Sequence, residues 1–154
     1  MKQDRLQEYQ RVRERVLALC EGESDVIARM ASFAGVLHHE MPGFFWTGFY
    51  RVVEGGLVIG PYQGTVGCLR IPFGRGVCGT AAATGETQVV ADVHEFPGHI
   101  ACDARSESEI VVPVYDAGGE LIAVLDVDST KKGFFDGTDR EQLERLVKEV
   151  FANS

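Results

Sequence analysis

The chain has no apolar run long enough to cross a bilayer. Its apolar runs, such as Leu121-Ile122-Ala123-Val124-Leu125, stop far short of the roughly 20 residues a spanning helix needs, so no membrane is expected as a partner. It also lacks an excess of basic residues. Fifteen Lys and Arg stand against 23 Asp and Glu, a net charge of −8, which argues against nucleic-acid binding and polybasic membrane docking. No signal-peptide pattern opens it, so the expected location is cytoplasmic. Cysteine is scarce, with four in 154 residues, and none stands in the short C-x-x-C knuckle common in zinc sites. In a reducing compartment such cysteines are buried, metal-binding or catalytic before they are structural disulfides. Internal repeats and low-complexity segments are missing too. The length and an apolar content of 45% fit one domain over residues 1–154.

What is present follows plain helix and strand periods. Residues 3–20 place Leu6, Tyr9, Val12, Val16, Leu17 and Cys20 at helical spacing, which makes Cys20 a buried small hydrophobe. Ser24 or Asp25 can cap a second helix with Ile27, Met30, Ala31, Ala34 and Leu37 on its apolar stripe. His38-His39-Glu40 reads as the solvated end of that helix. Phe44–Val53 and Leu57–Tyr62 read as a hairpin around Glu54-Gly55-Gly56. On its first strand Trp46, Gly48 and Tyr50 share one face, either as core or as the walls of a small pocket. A short strand at Cys68–Ile71, a short helix at Gly76–Thr84 and a short strand at Gln88–Ala91 lead into a long loop through Cys102. Glu109–Tyr115 and Glu120–Asp128 form the clearest hairpin. A four-residue turn would set Glu109 opposite Asp126, with Asp128 on the same face. Thr138, with Glu141 completing a capping box, is expected to open a last helix carrying Leu143, Leu146, Val147 and Val150. Hairpin-joined strands with helices at the chain ends predict an α+β fold.

Three constellations carry chemistry. Gly74-Arg75-Gly76-Val77-Cys78-Gly79 is a literal GxGxxG, but Pro72 and the hairpins around it contradict a parallel βαβ unit, so its glycines are assigned to a tight turn. Cys78 would then sit in a first helical turn, where the helix N-terminus lowers a thiol pKa. Cys68, Cys78 and Cys102 can be buried structural thiols or a redox set. His94, His99 and Cys102 keep zinc as a minority reading, although no metal or cofactor is expected. Glu109, Asp126 and Asp128 crowd one face, and like charges that close raise at least one pKa. A protonated carboxyl beside ionised ones can give a proton and bind an ammonium group.

The run RIPFGRGVCGTAAATGETQVVADVHEFPGHIACDARSESEIVVPV, followed by LIAVLDVDST, resembles the free methionine-(R)-sulfoxide reductases, small enzymes built on a GAF domain. The resemblance runs from about Trp46 through the last helix. It implies a single GAF domain whose central antiparallel sheet has the N- and C-terminal helices packed on one face. It further implies that Cys102 is the catalytic cysteine, Cys68 the resolving one and Cys78 an auxiliary one. Glu109, Asp126, Asp128, Trp46 and Tyr50 would line the substrate pocket. Arg105 and Glu107 depart from the small or amide residues usual in the family's loop. The implied reaction has the Cys102 thiolate attack the sulfoxide sulfur, a neutral carboxyl protonate the oxygen, and Cys68 condense with the resulting sulfenic acid. Thioredoxin would restore the thiols. The alternative is a GAF-type small-molecule or redox sensor without catalysis. The oligomeric state is left open, a homodimer included.

Overall fold

Two amphipathic helices open the chain, α1 (Lys2–Cys20) and α2 (Val26–Glu40). The computed structural model describes residues 2–100 and 102–152. Asp25 caps α2 by accepting from the Ile27 and Ala28 amides, satisfying donors that the first turn leaves free. The buried stripe of α2 is Met30, Phe33, Ala34, Val36 and Leu37. Ile27 and Ala31, expected on it, are exposed, because the helix rests on the sheet and on α1 through the arc centred on Phe33 and Leu37. His38 is likewise not solvated. Its ring pairs with the Thr47 hydroxyl at 3.0 Å, and burial lowers its pKa.

The strands are β1 (Trp46–Val53), β2 (Gly56–Gln63), β3 (Arg70–Pro72), β4 (Gln88–Val90), β5 (Ser108–Tyr115) and β6 (Leu121–Ser129). They form one antiparallel sheet in the order β3-β2-β1-β6-β5-β4. The remaining helices are α3 (Gly76–Thr84) and α4 (Gly137–Val147), the latter running on into a π turn at Lys148–Ala152. Asp136 caps α4 and Asp139 completes its capping box, two residues earlier than Thr138 and Glu141 would place it. Asp139 is engaged further. Its fully buried carboxylate accepts from Tyr9 and from Arg5, both at 2.6 Å, which ties α1 to α4.

The alternation along β1, β5 and β6 divides the interior in two. Phe49, Ile110, Val112, Val114, Ala123, Leu125 and Val127 point to the large core under α1, α2 and α4. Trp46, Tyr50, Val111 and Val124 point to the other face, against Val77, Cys78, Ala81 and Ala82 of α3. The N- and C-terminal helices therefore share one face of the sheet, and α3 covers part of the other.

The β5–β6 register differs from the simple turn. Asp116 to Glu120 makes a five-residue loop, with Asp116 accepting from the Gly118 and Glu120 amides. An irregularity beside Tyr115 adds another residue on β6. Glu109 consequently pairs with Asp128, and Asp126 pairs with Val111. A displacement of two residues preserves the face, so the three acids still project together.

Candidate active site

Two rows of side chains cross the sheet on the α3 face. Trp46 stands beside Asp128, which stands beside Glu109; Gly48 stands beside Asp126, which stands beside Val111. Gly48 has a steric reason to be there. A Cβ at this position would come within 2.3 Å of the Tyr62 Cβ and 2.8 Å of the Trp46 ring. Its absence lets Trp46 stack on both Tyr62 and Tyr50, with centroids 5.2 and 5.8 Å apart. Trp46 donates its indole N–H to the Thr65 carbonyl at 2.7 Å. The two readings of Trp46 and Tyr50 are therefore both true: they are buried, and they line a cavity.

The carboxylates are not solvated. Glu109 and Asp126 are 6% and 5% exposed. Burial pushes all three pKa values up, and Glu109 is raised further by the charges of Asp126 and Asp128. Glu109 lies within hydrogen-bonding reach of both aspartates, and those bonds favour the proton on Glu109 while drawing the aspartates down. A neutral Glu109 thus serves two acidic neighbours. Asp126 Oδ1, buried and facing this cluster, has no hydrogen-bond partner among the described residues. An orphaned buried carboxylate oxygen carries a desolvation penalty that a cationic donor would relieve.

Cys78, on α3, faces the same cluster, with Sγ 3.9 Å from Glu109 Oε2. Its environment overturns the expectation of a low pKa. Burial first, then Asp126 and Glu109, push the thiol well up, and these outweigh the start of a nine-residue helix. The GxGxxG run serves a turn. Gly74 and Gly76 have φ of +84° and +64°, and a Cβ on Gly79 would meet the Pro72 carbonyl at 2.5 Å. Cys78 Sγ and carboxylate oxygens of Glu109 and Asp126 lie within 4.8 Å of one another, the described grouping nearest to a metal donor set. Within the group the Cys78 thiol donates to Glu109 Oε2, while Asp126 Oδ1 is left without a partner among the described residues.

Cys68 and Cys102 are joined in a disulfide, with Cα atoms 5.4 Å apart, and Cys102 lines the cavity. Cys20 and Cys78 are free and buried. A second clasp lies beside the disulfide: Thr65 donates to Asp103 at 2.8 Å, and Arg105 grips the same carboxylate. Those bonds, led by the one from Arg105, hold Asp103 well below the usual carboxylate range. Arg105 also lies over the Phe45 ring, 5.0 Å from its centroid. The departure at Arg105 is thus structural. Glu107 pairs with His94 at 2.8 Å, while His99 turns inward, its Nε2 3.9 Å from Glu109 Oε1. The two histidines and Cys102 engage different partners, which leaves no zinc cluster among them. Thr65, Asp103 and the inward turn of His99 had no signal in spacing or period, since Thr65 and Asp103 meet across 38 positions.

The enclosed space is about 40 Å³, room for a few waters at most. A larger groove of about 500 Å³ lies between α4 and the Tyr115 end of β5. Of the charged residues that line it, Glu144 is engaged by Thr87 and Arg140, and Asp116 accepts from the amides of its own turn.

Residues 28–150 match the GAF domain family. The chain is 46% identical to the free methionine-R-sulfoxide reductase of Escherichia coli over 133 residues, 86% of this chain and 80% of that one. It is 42% identical to the free methionine-R-sulfoxide reductase of Saccharomyces cerevisiae over 137 residues, 84% of this chain and 76% of that one. The crystal structure of free methionine-R-sulfoxide reductase from Neisseria meningitidis in complex with its substrate superposes with a TM-score of 0.87 at 46% identity, covering 92% of this chain and 85% of that one.

Proposed function

This chain belongs to the GAF-domain free methionine-R-sulfoxide reductases, and from that premise we propose that it reduces free methionine-(R)-sulfoxide to methionine at the cavity between Glu109 and Cys102. The observation that carries the reading is that Cys102, disulfide-bonded to Cys68, lines one cavity with the three clustered carboxyls. Neutral Glu109 hydrogen-bonds the sulfoxide oxygen and protonates it, which makes the sulfur electrophilic. The Cys102 thiolate attacks that sulfur. Methionine leaves, the oxygen stays on Cys102 as a sulfenic acid, and the Cys68 thiol displaces it as water to form the disulfide. The substrate ammonium is held by Asp126, whose Oδ1 lacks a partner among the described residues, and by Asp128. Trp46 and Tyr50 pack the S-methyl group. Cys78 stays protonated and supports the carboxyl cluster instead of resolving. A dithiol protein of the thioredoxin kind reopens the disulfide by exchange in the cytoplasm. Residues 1–154 act as one domain.

The test is methionine release from free racemic methionine sulfoxide with a dithiol, followed by a comparison of kcat/KM with the N-acetyl form. N-acetylation removes the ammonium charge and keeps the sulfoxide. Loss of a desolvated charge contact costs about 2–5 kcal/mol, roughly two to three or more powers of ten. Turnover of the (R) epimer with that discrimination is expected. An unaffected N-acetyl substrate refutes the ammonium clamp, and no methionine at all refutes the activity, leaving a sensor module.

A further inference from the structure

The proposed chemistry needs a proton to move in a direction that the carboxyl cluster cannot supply by itself. In the first half-reaction Cys102–SH becomes a thiolate, and the sulfoxide oxygen ends as the hydroxyl of Cys102–SOH. No proton is consumed overall. Glu109 gives one to the oxygen and must regain the one Cys102 lost. Glu109 lines the cavity with Asp126, Asp128 and Cys78 around it; Glu109, Asp126 and Cys78 are almost fully buried and Asp128 is partly so. None is a ready base toward a thiol: the aspartates share the Glu109 proton, and the Cys78 thiol is itself held protonated.

His99 differs from these groups. It is three residues before Cys102 on the same loop and lines the same cavity. Its side chain is 15% exposed, and its Nε2 is 3.9 Å from Glu109 Oε1, too far for a hydrogen bond and near enough to close by a small movement. The other histidine of the loop, His94, faces outward to Glu107.

We infer that His99 is the proton relay between Cys102 and Glu109: it accepts the thiol proton at one ring nitrogen and returns a proton to Glu109 from the other. The imidazole ends neutral in the opposite tautomer, and atoms and charges balance without an added reactant. The inference rests on the sulfoxide chemistry proposed above. It also accounts for the loop: the base and the nucleophile travel together, so the relay is complete only when Cys102 is seated over the cavity.

The relay works while His99 is neutral. Burial lowers its pKa, with the charge of His94 adding to this, which extends the neutral form toward acid. The titratable and charged groups that line the cavity with it are Glu109 from β5, Asp126 and Asp128 from β6, Cys78 and Arg75 at the start of α3, Tyr50 from β1, and Cys102 and Asp103 from its own loop.

The experiment is the rate of first-turnover methionine release from reduced protein, which bypasses the recycling dithiol, in His99→Ala and His99→Asn. Unmodified protein that releases methionine establishes the underlying activity, so a failure there is separate from a failure of the relay. Both variants should be slower by about a hundred-fold or more. Added imidazole should restore His99→Ala several-fold, and the acid limb of the rate profile should vanish in His99→Asn. Unchanged rates in both variants overturn the relay. A loss that imidazole does not restore, with the acid limb kept in His99→Asn, makes His99 a packing residue and equally overturns it.

Discussion

A carboxyl that is 6% exposed, with two more acids within hydrogen-bonding reach, holds its proton beyond the ordinary range. Folding thereby raises the affinity of Glu109 for that proton, and the folded chain binds more protons than the unfolded one from ordinary carboxylate pKa values upward. The stability tied to Glu109 is present in acid and is lost as pH rises through its folded value. An amide in place of this carboxyl keeps a hydrogen-bonding donor and cannot ionise. Glu109→Gln should therefore abolish turnover and raise stability at pH 8 by on the order of 1 kcal/mol, with little gain at pH 4. Denaturant melts of both proteins at the two pH values decide it. A variant less stable at pH 8 than at pH 4 by the same margin as the parent would show that Glu109 does not titrate in this sense. The reason for such an arrangement is functional: an acid that keeps its proton above the ordinary carboxylate range is a donor to a polarising oxygen.

At the scale of elements, the segment from Asp92 to Glu107 carries His99 and Cys102 on little regular structure. Its described residues form one short 3-10 turn at Val93–Glu95, and the disulfide and the Thr65–Asp103 clasp pin its far end. Reducing the disulfide removes one pin and leaves hydrogen bonds that water competes for. Limited proteolysis should cut between 96 and 102 faster in reduced than in oxidised protein, and equal rates would show that the clasp alone fixes the segment. The same division explains what the sequence made legible. The bounds of α3 and the shared face of Glu109, Asp126 and Asp128 follow from local period and glycine chemistry, and α3 ends on Gly85 as expected, with φ of +71°. The Asp136 cap, the burial of His38 against Thr47 and the Thr65–Asp103 clasp do not, because each depends on contacts whose side chains have ordinary local alternatives. The depressed thiol expected for Cys78 failed for a related reason. Its position on the helix was local information, while the carboxylates facing it came from β5 and β6.

For the whole molecule, the disulfide-linked form encloses about 40 Å³, against the several hundred that a ligand pocket usually offers. Oxidised protein should not bind methionine or its sulfoxide detectably by calorimetry, whereas the Cys68→Ser, Cys102→Ser double variant should bind the sulfoxide. Equal affinity in the two would show that the cavity opens without breaking the bond. The sheet that holds this cavity has a further consequence, for which changes of length the gene can tolerate. Leu125 and Val127 anchor the helical core, and Asp126 and Asp128, interleaved with them, furnish the opposite face. Inserting or deleting a single residue within β6 would exchange the two coats, putting acids under α4 and leucine and valine in the cavity. Changes by two are neutral to this alternation, and the loop and irregularity at Asp116–Ile122 absorb such a pair. Length variation in this hairpin is therefore confined to even steps or to its turn.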